Sequence, residues 1–119
     1  MRIIGGLARG TKLYTLEGKD TRPTLDRVRE SLFNILQNEI KDSKLLDLFS
    51  GSGAIGLESI SRGAKKAILC DKNKQAIQII NKNVEKLRVK EKVEVLCTDY
   101  EKYLNSTKEQ FEYIYRPTI

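Results

Sequence analysis

Apolar residues in this chain fall into two kinds of run. Short, nearly continuous ones occupy about 45–49, 67–70, 93–97 and 111–115. Runs this short and this rich in branched or aromatic residues predict strands buried in a sheet. Between them the spacing is helical: Val28, Leu32, Ile35, Leu36 and Ile40 form one stripe, Ile55, Leu57 and Ile60 a second. Ala76, Ile77, Ile80, Val84 and Leu87 form a third. Thr24, just after Arg22-Pro23, is the expected cap of the first helix, with Asp26 in its first turn. Arg62-Gly63 closes the second, Asn73 caps the third, and Asp99 caps a short helix to about residue 105. Strands alternating with helices in this way predict right-handed parallel βαβ units, an α/β fold.

Ahead of these elements lie Ile3-Ile4 and Leu13-Tyr14, two possible short strands in a stretch rich in Gly, Lys, Arg and Thr. This predicts a basic N-terminal arm over 1–23, outside the core, followed by one domain over 24–119. At 119 residues there is room for no more than that. The formal net charge of +6 makes nucleic acid a natural partner. It is unevenly placed, with a net +4 over residues 1–29 and a net +5 over 72–92, the rest being acidic on balance. The 72–92 run reads as a solvated face. The arm, through Arg2, Arg9, Lys12 and Arg22, reads as an RNA contact together with Arg27 just beyond it.

Two cysteines, Cys70 and Cys97, have no metal-ligand spacing, and histidine is absent from the chain. Zinc chemistry and a histidine base are therefore not expected. Both thiols are expected to be buried and reduced. No apolar run nears the ~18 residues of a membrane span, and no signal peptide is visible, so the expected location is cytoplasmic with no membrane partner.

The stretch Asp47-Leu48-Phe49-Ser50-Gly51-Ser52-Gly53-Ala54-Ile55-Gly56 carries the chemistry. A strand, a glycine turn and a helix start allow backbone N–H groups to approach a ligand closely. Glycines at this spacing also occur in dinucleotide-binding dehydrogenases. The acid inside the strand, Asp47, suits a cationic ligand better than a pyrophosphate, and S-adenosylmethionine carries a sulfonium and an ammonium group. In parallel sheets ligands bind beyond the carboxyl ends of the strands. Two further acids fall there: Asp71, about 20 residues past Gly51, where ribose hydroxyls are held, and Asp99, within reach of an adenine amino group. Structural alternatives exist for each: Asp47 as partner of an amide or arginine, Asp71 as a turn residue, Asp99 as an N-cap, and the glycines as a tight turn.

From Arg2 to about Tyr115 the chain resembles the bacterial methyltransferases that modify guanine N2 in 16S, the small-subunit, ribosomal RNA. Arg2-Ile3-Ile4-Gly5-Gly6 with Arg9-Gly10 carries part of the likeness. Arg22-Pro23-Thr24-x-x-Arg27-Val28-Arg29-Glu30-x-Leu32-Phe33-Asn34 carries more, and Asp47 to Gly53 matches the cofactor motif of the wider superfamily. The resemblance implies a Rossmann-like class I methyltransferase fold. Its parallel sheet is partial here, strands 3-2-1-4, with helices on both faces, and 24–119 is its S-adenosylmethionine-binding half. It implies that Asp47 and Ser50, Gly51, Ser52 and Gly53 line the methionine part of S-adenosylmethionine, with Phe49 and Gly56 in the same motif. Asp71 would hold the ribose, with Lys72 beside it, and Asp99 and Tyr100 would flank the adenine. The Arg22-Pro23-Thr24 turn would cover the cofactor and guide RNA. Ribosomal RNA, or the small subunit, is the implied partner.

In that family an Asp- or Asn-Pro-Pro-aromatic motif follows the fourth strand, where it accepts the N–H bonds of the guanine amine and stacks on the extruded base. Here the corresponding residues are Tyr115-Arg116-Pro117-Thr118-Ile119. Arg116 accepts no hydrogen bonds, so no catalytic residue is assigned. One set of codons for Leu-Asp-Pro-Pro yields Arg-Pro-Thr in a shifted reading frame, so a frameshift stands beside a natural or an engineered origin for this ending. The fourth strand is expected to be an open edge prone to self-association. A non-catalytic cofactor- or RNA-binding module and an NAD-binding Rossmann domain are the competing readings.

Overall fold

The computed structural model describes residues 1–15, 23–48 and 50–115, with the side chains of all of these except 23–26. Helix α1 (Pro23–Leu36) is followed by strand β1 (Lys44–Asp47), helix α2 (Ala54–Ser61) and strand β2 (Lys66–Asp71). Then come helix α3 (Lys74–Leu87), strand β3 (Val93–Cys97), helix α4 (Tyr100–Ser106) and strand β4 (Tyr113–Tyr115). The four strands form one parallel sheet in the order β3-β2-β1-β4. Order and direction match the sequence expectation.

Alternation along each strand loads both faces of the sheet. Leu45, Ala67 and Leu69 pack with Phe33 of α1, Leu57 and Ile60 of α2, and Ile80 and Val84 of α3. Leu46, Leu48, Ile68 and Cys70 face the other way, against Tyr103 and Leu104 of α4 and Phe111, which are only partly buried. Helices therefore cover both faces, unequally.

Several local expectations are corrected. Pro23 is the first residue of α1, so Thr24 lies inside the helix rather than capping it. Proline's fixed φ suits the first helical turn, and the N–H it lacks has no intrahelical partner there anyway. The buried side of α1 is carried by Arg29 and Phe33; Val28 and Ile35, read as core, are 62% and 79% exposed. Cys97 is exposed, because β3 lies at an edge of the sheet, whereas Cys70 is buried as expected. Other signals hold: Asn73 caps α3 by accepting from the Gln75 N–H at 2.9 Å, and Gly63 follows α2 with φ +104°.

The largest departure concerns residues 1–15, which are joined to the core rather than free of it. Ile3 and Leu13 are buried in the main cluster. Arg2 and Lys12 form an antiparallel bridge, and Ile3 N–H donates to the Thr11 carbonyl at 2.9 Å. Glu58 of α2, fully buried, holds this ribbon down. Its carboxylate accepts from the Ile4 and Gly5 N–H groups, each at 2.9 Å. It also accepts from Arg29 Nε at 3.2 Å and Arg62 Nε at 2.8 Å. Arg29 further donates to the Arg2 carbonyl. One buried carboxylate thus ties α1, α2 and the ribbon together, with its charge compensated by two guanidinium groups.

Candidate functional site

The strand order reverses at β1, whose neighbours are β2 on one side and β4 on the other. In open parallel sheets that reversal opens a crevice beyond the strand ends. Three predicted acids lie at the carboxyl ends of adjacent strands. Asp47 ends β1, Asp71 ends β2, and Asp99 follows β3.

Asp47 is buried, 1% exposed, at the root of the glycine turn. The turn then folds on itself. Ser50 N–H donates to the Cys70 carbonyl at 3.0 Å, Gly53 N–H to the Ser50 carbonyl at 2.7 Å, and Ser50 Oγ to the Asp47 carbonyl at 3.3 Å. Gly51 and Gly53 have φ of +56° and +83°, a region that favours glycine. Among the described residues, a Cβ on Gly51 would meet nothing within 4 Å, so the turn is open to them on that side. Gly56 plays a different part from the one expected of it. A Cβ there would lie 2.0 Å from Leu69 Cδ2, so it brings α2 close to β2 and faces the core. Gly53 likewise packs near Ile80, Leu57 and Leu69, and Ser52 is buried with its Oγ 3.6 Å from Met1 Sδ.

Asp71 braces the turn from the neighbouring strand. Its Oδ2 accepts from the Gly51 N–H at 3.0 Å and its Oδ1 from the Asn73 N–H at 2.9 Å. One backbone N–H of the turn, that of Gly51, is thereby spent inside the protein. A carboxylate has about four acceptor sites, so two remain for hydroxyl donors. Asp99 caps α4 by accepting from the Glu101 N–H at 2.8 Å, the structural alternative foreseen for it. Leu48, Asp71, Lys72, Thr98, Asp99 and Tyr100 line one depression of about 30 Å³. That is the room of roughly one water, so a larger ligand would lie along the depression rather than inside it.

The acids also set the local field. The Cys70 thiol is pushed up to about 12, first by burial and then by the charges of Asp47, Glu94 and Asp71. A field that resists a thiolate favours a cation.

Of the remaining expected residues, Arg2, Arg9, Lys12 and Arg27 have exposed side chains. Arg22, Phe49 and Arg116 to Ile119 lie outside the described residues, as does the side chain of Thr24. Sequence reading missed Thr98 in the depression, and also Asn83. This buried amide on α3 accepts from the Tyr14 N–H at 2.7 Å. Its Nδ2 donates to the carbonyls of Tyr14 at 2.9 Å and Ser52 at 2.8 Å. It therefore joins the ribbon to the glycine turn. A polar residue within the stripe of Ile80, Val84 and Leu87 was the signal for it.

Comparison with known proteins is consistent with this geometry. The model of a family described as conserved hypothetical protein 95 matches residues 1–117. A Bacillus subtilis protein named as a candidate rRNA methyltransferase is 38% identical over 106 residues, 89% of this chain and 58% of its own length. The ribosomal RNA small subunit methyltransferase D of Escherichia coli is 48% identical over 88 residues, 74% of this chain and 44% of that protein. The chain thus spans about half the length of these relatives. Among solved structures, a candidate methyltransferase from Escherichia coli superposes with a TM-score of 0.77 at 39% identity, covering 87% of this chain and 55% of that one. A candidate methylase from Haemophilus influenzae gives 0.76 at 35% identity, covering 95% and 61%. The fold is that of the class I methyltransferases.

Proposed function

The chain belongs to the conserved hypothetical protein 95 family, and from that premise we propose that it is the donor-binding part of an S-adenosylmethionine-dependent methyltransferase of small-subunit ribosomal RNA. The observation that carries this reading is the juxtaposition of Asp47, the open side of Gly51 and Asp71 at the switch point of the sheet. Names of the relatives support the substrate class.

The residues fit the cofactor. No Cβ stands between Gly51 and a ligand laid along the turn. Asp47 and Asp71, at the carboxyl ends of neighbouring strands, supply negative charge for a molecule bearing positive charge. Asp71 retains acceptor capacity for two ribose hydroxyls beside its two backbone bonds. Leu48 and Tyr100 offer apolar surface for the adenine, with Asp99 at its edge and Lys72 near the ribose. When bound, the cofactor supplies an electrophilic methyl group on its sulfonium. The protein's task is to hold that methyl in line with an incoming nitrogen, which is mainly catalysis by positioning.

The acceptor we assign is the N2 amine of guanine, on the strength of the Arg22–Asn34 signature. Arg2, Arg9, Lys12, Arg22 and Arg27 would contact phosphates. Tyr115 to Ile119 holds no Asp- or Asn-Pro-Pro-aromatic sequence, so this chain is expected to bind the donor without appreciable turnover.

Titration calorimetry of the 119-residue chain tests the reading. Heat of binding is expected with S-adenosylmethionine and not with NAD. Asp71→Asn is expected to weaken binding by about tenfold, the equivalent of one charge-assisted hydrogen bond at about 1.5 kcal/mol. Binding of NAD alone, or of neither ligand, would sink the proposal. Robust transfer of labelled methyl to unmethylated small-subunit RNA would overturn the acceptor half of it.

A further inference from the structure

Lysines on α3, read from sequence as a solvated face, meet an exposed aromatic ring. Tyr14 is 49% exposed, yet its backbone is fixed by both ends of the buried Asn83 amide. The Lys86 ammonium lies 4.9 Å from the centroid of the Tyr14 ring and donates to the Lys12 carbonyl at 2.6 Å. Tyr14, Lys82, Glu85 and Lys86 line an open depression of about 440 Å³, within the size range of small-ligand sites. Among the described residues, two ammonium groups there stand against the carboxylate of Glu85.

A purely solvated helix face gives no reason for this arrangement. Lys82 and Lys86 are one turn apart, where like charges repel. Neither is paired with a carboxylate among the described residues. The ring is held on a fixed backbone, so stacking on it costs little ordering. Directly across the ribbon, Arg2 and Lys12 are bridge partners and project from the same face. The hydrogen bond from Lys86 to the Lys12 carbonyl sets α3 beside the ribbon that carries these two cations.

We propose that Tyr14, flanked by Lys82 and Lys86, is a stacking site for one unpaired base of an RNA strand, with the lysines taking the adjoining phosphates. Aromatic rings interleaved with cations are the general device for holding single-stranded nucleic acid. The Asn83 amide, shared between Tyr14 and the Ser52 carbonyl, ties this contact to the glycine turn. The inference rests on the reading of the chain as part of an RNA methyltransferase, and extends its RNA surface from the ribbon onto α3.

Fluorescence anisotropy with a labelled single-stranded fragment of small-subunit ribosomal RNA, titrated at several salt concentrations, tests it. Tyr14→Ala is expected to weaken binding roughly tenfold with little change in salt dependence, and Tyr14→Phe to restore it. Lys82→Gln is expected to lower the slope of log K against log salt by about 0.7, one phosphate contact to a single strand. Arg9→Gln reports on the broader RNA reading. If Arg9→Gln weakens binding while Tyr14→Ala and Lys82→Gln bind like the parent, the stacking site is refuted and the RNA reading stands. Absence of RNA binding by the parent chain refutes both. Tyr14→Leu, which keeps apolar bulk at this 49% exposed position but removes the ring, decides the stacking even where Tyr14→Ala fails to fold: binding like the parent refutes the site.

Discussion

The two faces of the sheet are built to different standards. Beneath α1, α2 and α3, Phe33, Ile40, Leu57 and Ile80 are closed off from solvent, and the ribbon of residues 1–15 seals the rim through Glu58. Beneath α4, the strand residues Leu46, Leu48, Ile68 and Cys70 are buried, but the residues laid over them are only partly covered. β4, at the sheet edge on this side, leaves Ile114 52% exposed. The closed face carries the elements that shape the glycine turn. The thinner one carries Tyr100 and Asp99, where the flat end of a nucleoside is proposed to lie. Rigidity is concentrated under the turn, and accessible surface beside it.

Removal of charge at the centre of the closed face should show this most strongly. Glu58→Leu leaves Arg29 buried without its carboxylate and strips two N–H groups of their acceptor. A loss of about 3–5 kcal/mol is expected in urea unfolding. A loss under 1 kcal/mol would mean that the ribbon is held mainly by Ile3 and Leu13. On the thin face, Leu104→Ala should cost less than the about 2 kcal/mol at which fully buried leucines begin, since Leu104 is partly covered. Equal costs at the two sites would erase the contrast.

A subtler difference is chemical. The Cys70 thiol, on the thin face, is raised from 9.0 to about 12 by burial and by the acids near it. An unfolded chain ionises this thiol near its ordinary value while the folded one does not. The stabilisation is complete below about 9 and is lost as pH climbs from there towards about 12. Cys70→Ala should flatten that alkaline decline, as followed by thermal melts at increasing pH. A disulfide-exchange reagent at neutral pH should label exposed Cys97 and spare Cys70.

The smallest effect on the isolated fold is expected at the β4 edge. Exposed strand edges with apolar side chains pair with other chains. We expect the chain to self-associate with rising concentration in sedimentation velocity, and Ile114→Lys to suppress this without altering the melting temperature. A parent chain that stays monomeric at all concentrations would remove the β4 edge as a contact.

Much of the architecture was legible in the order of residues. Short apolar runs gave β2 and β3 nearly to the residue: β2 is buried on both faces and has no polar interruption to blur it, while β3, at the sheet edge, keeps its branched residues Val93 and Val95 at alternate positions around exposed Glu94. Asn73 and Gly63 marked helix ends through chemistry confined to one turn. Helix α1 was harder. Its apolar residues lie on more than one side, and the buried side includes Arg29, which periodicity counts as solvent-facing. The ribbon was misread for a related reason: its anchor is a carboxylate more than fifty residues away, and nothing local announces it.

By itself, then, the sequence determined the alternation of strands and helices, the glycine turn and the three acids at strand ends, since each depends on neighbours within a few residues. Only the tertiary structure decided that Gly56 serves packing while Gly51 faces open space. It also decided that Asp71 braces the turn and that Asn83 joins the ribbon to it. These are relations between segments far apart in the chain. They are set by which groups must find hydrogen-bond partners once water is excluded, a condition that exists only after the chain has closed on itself.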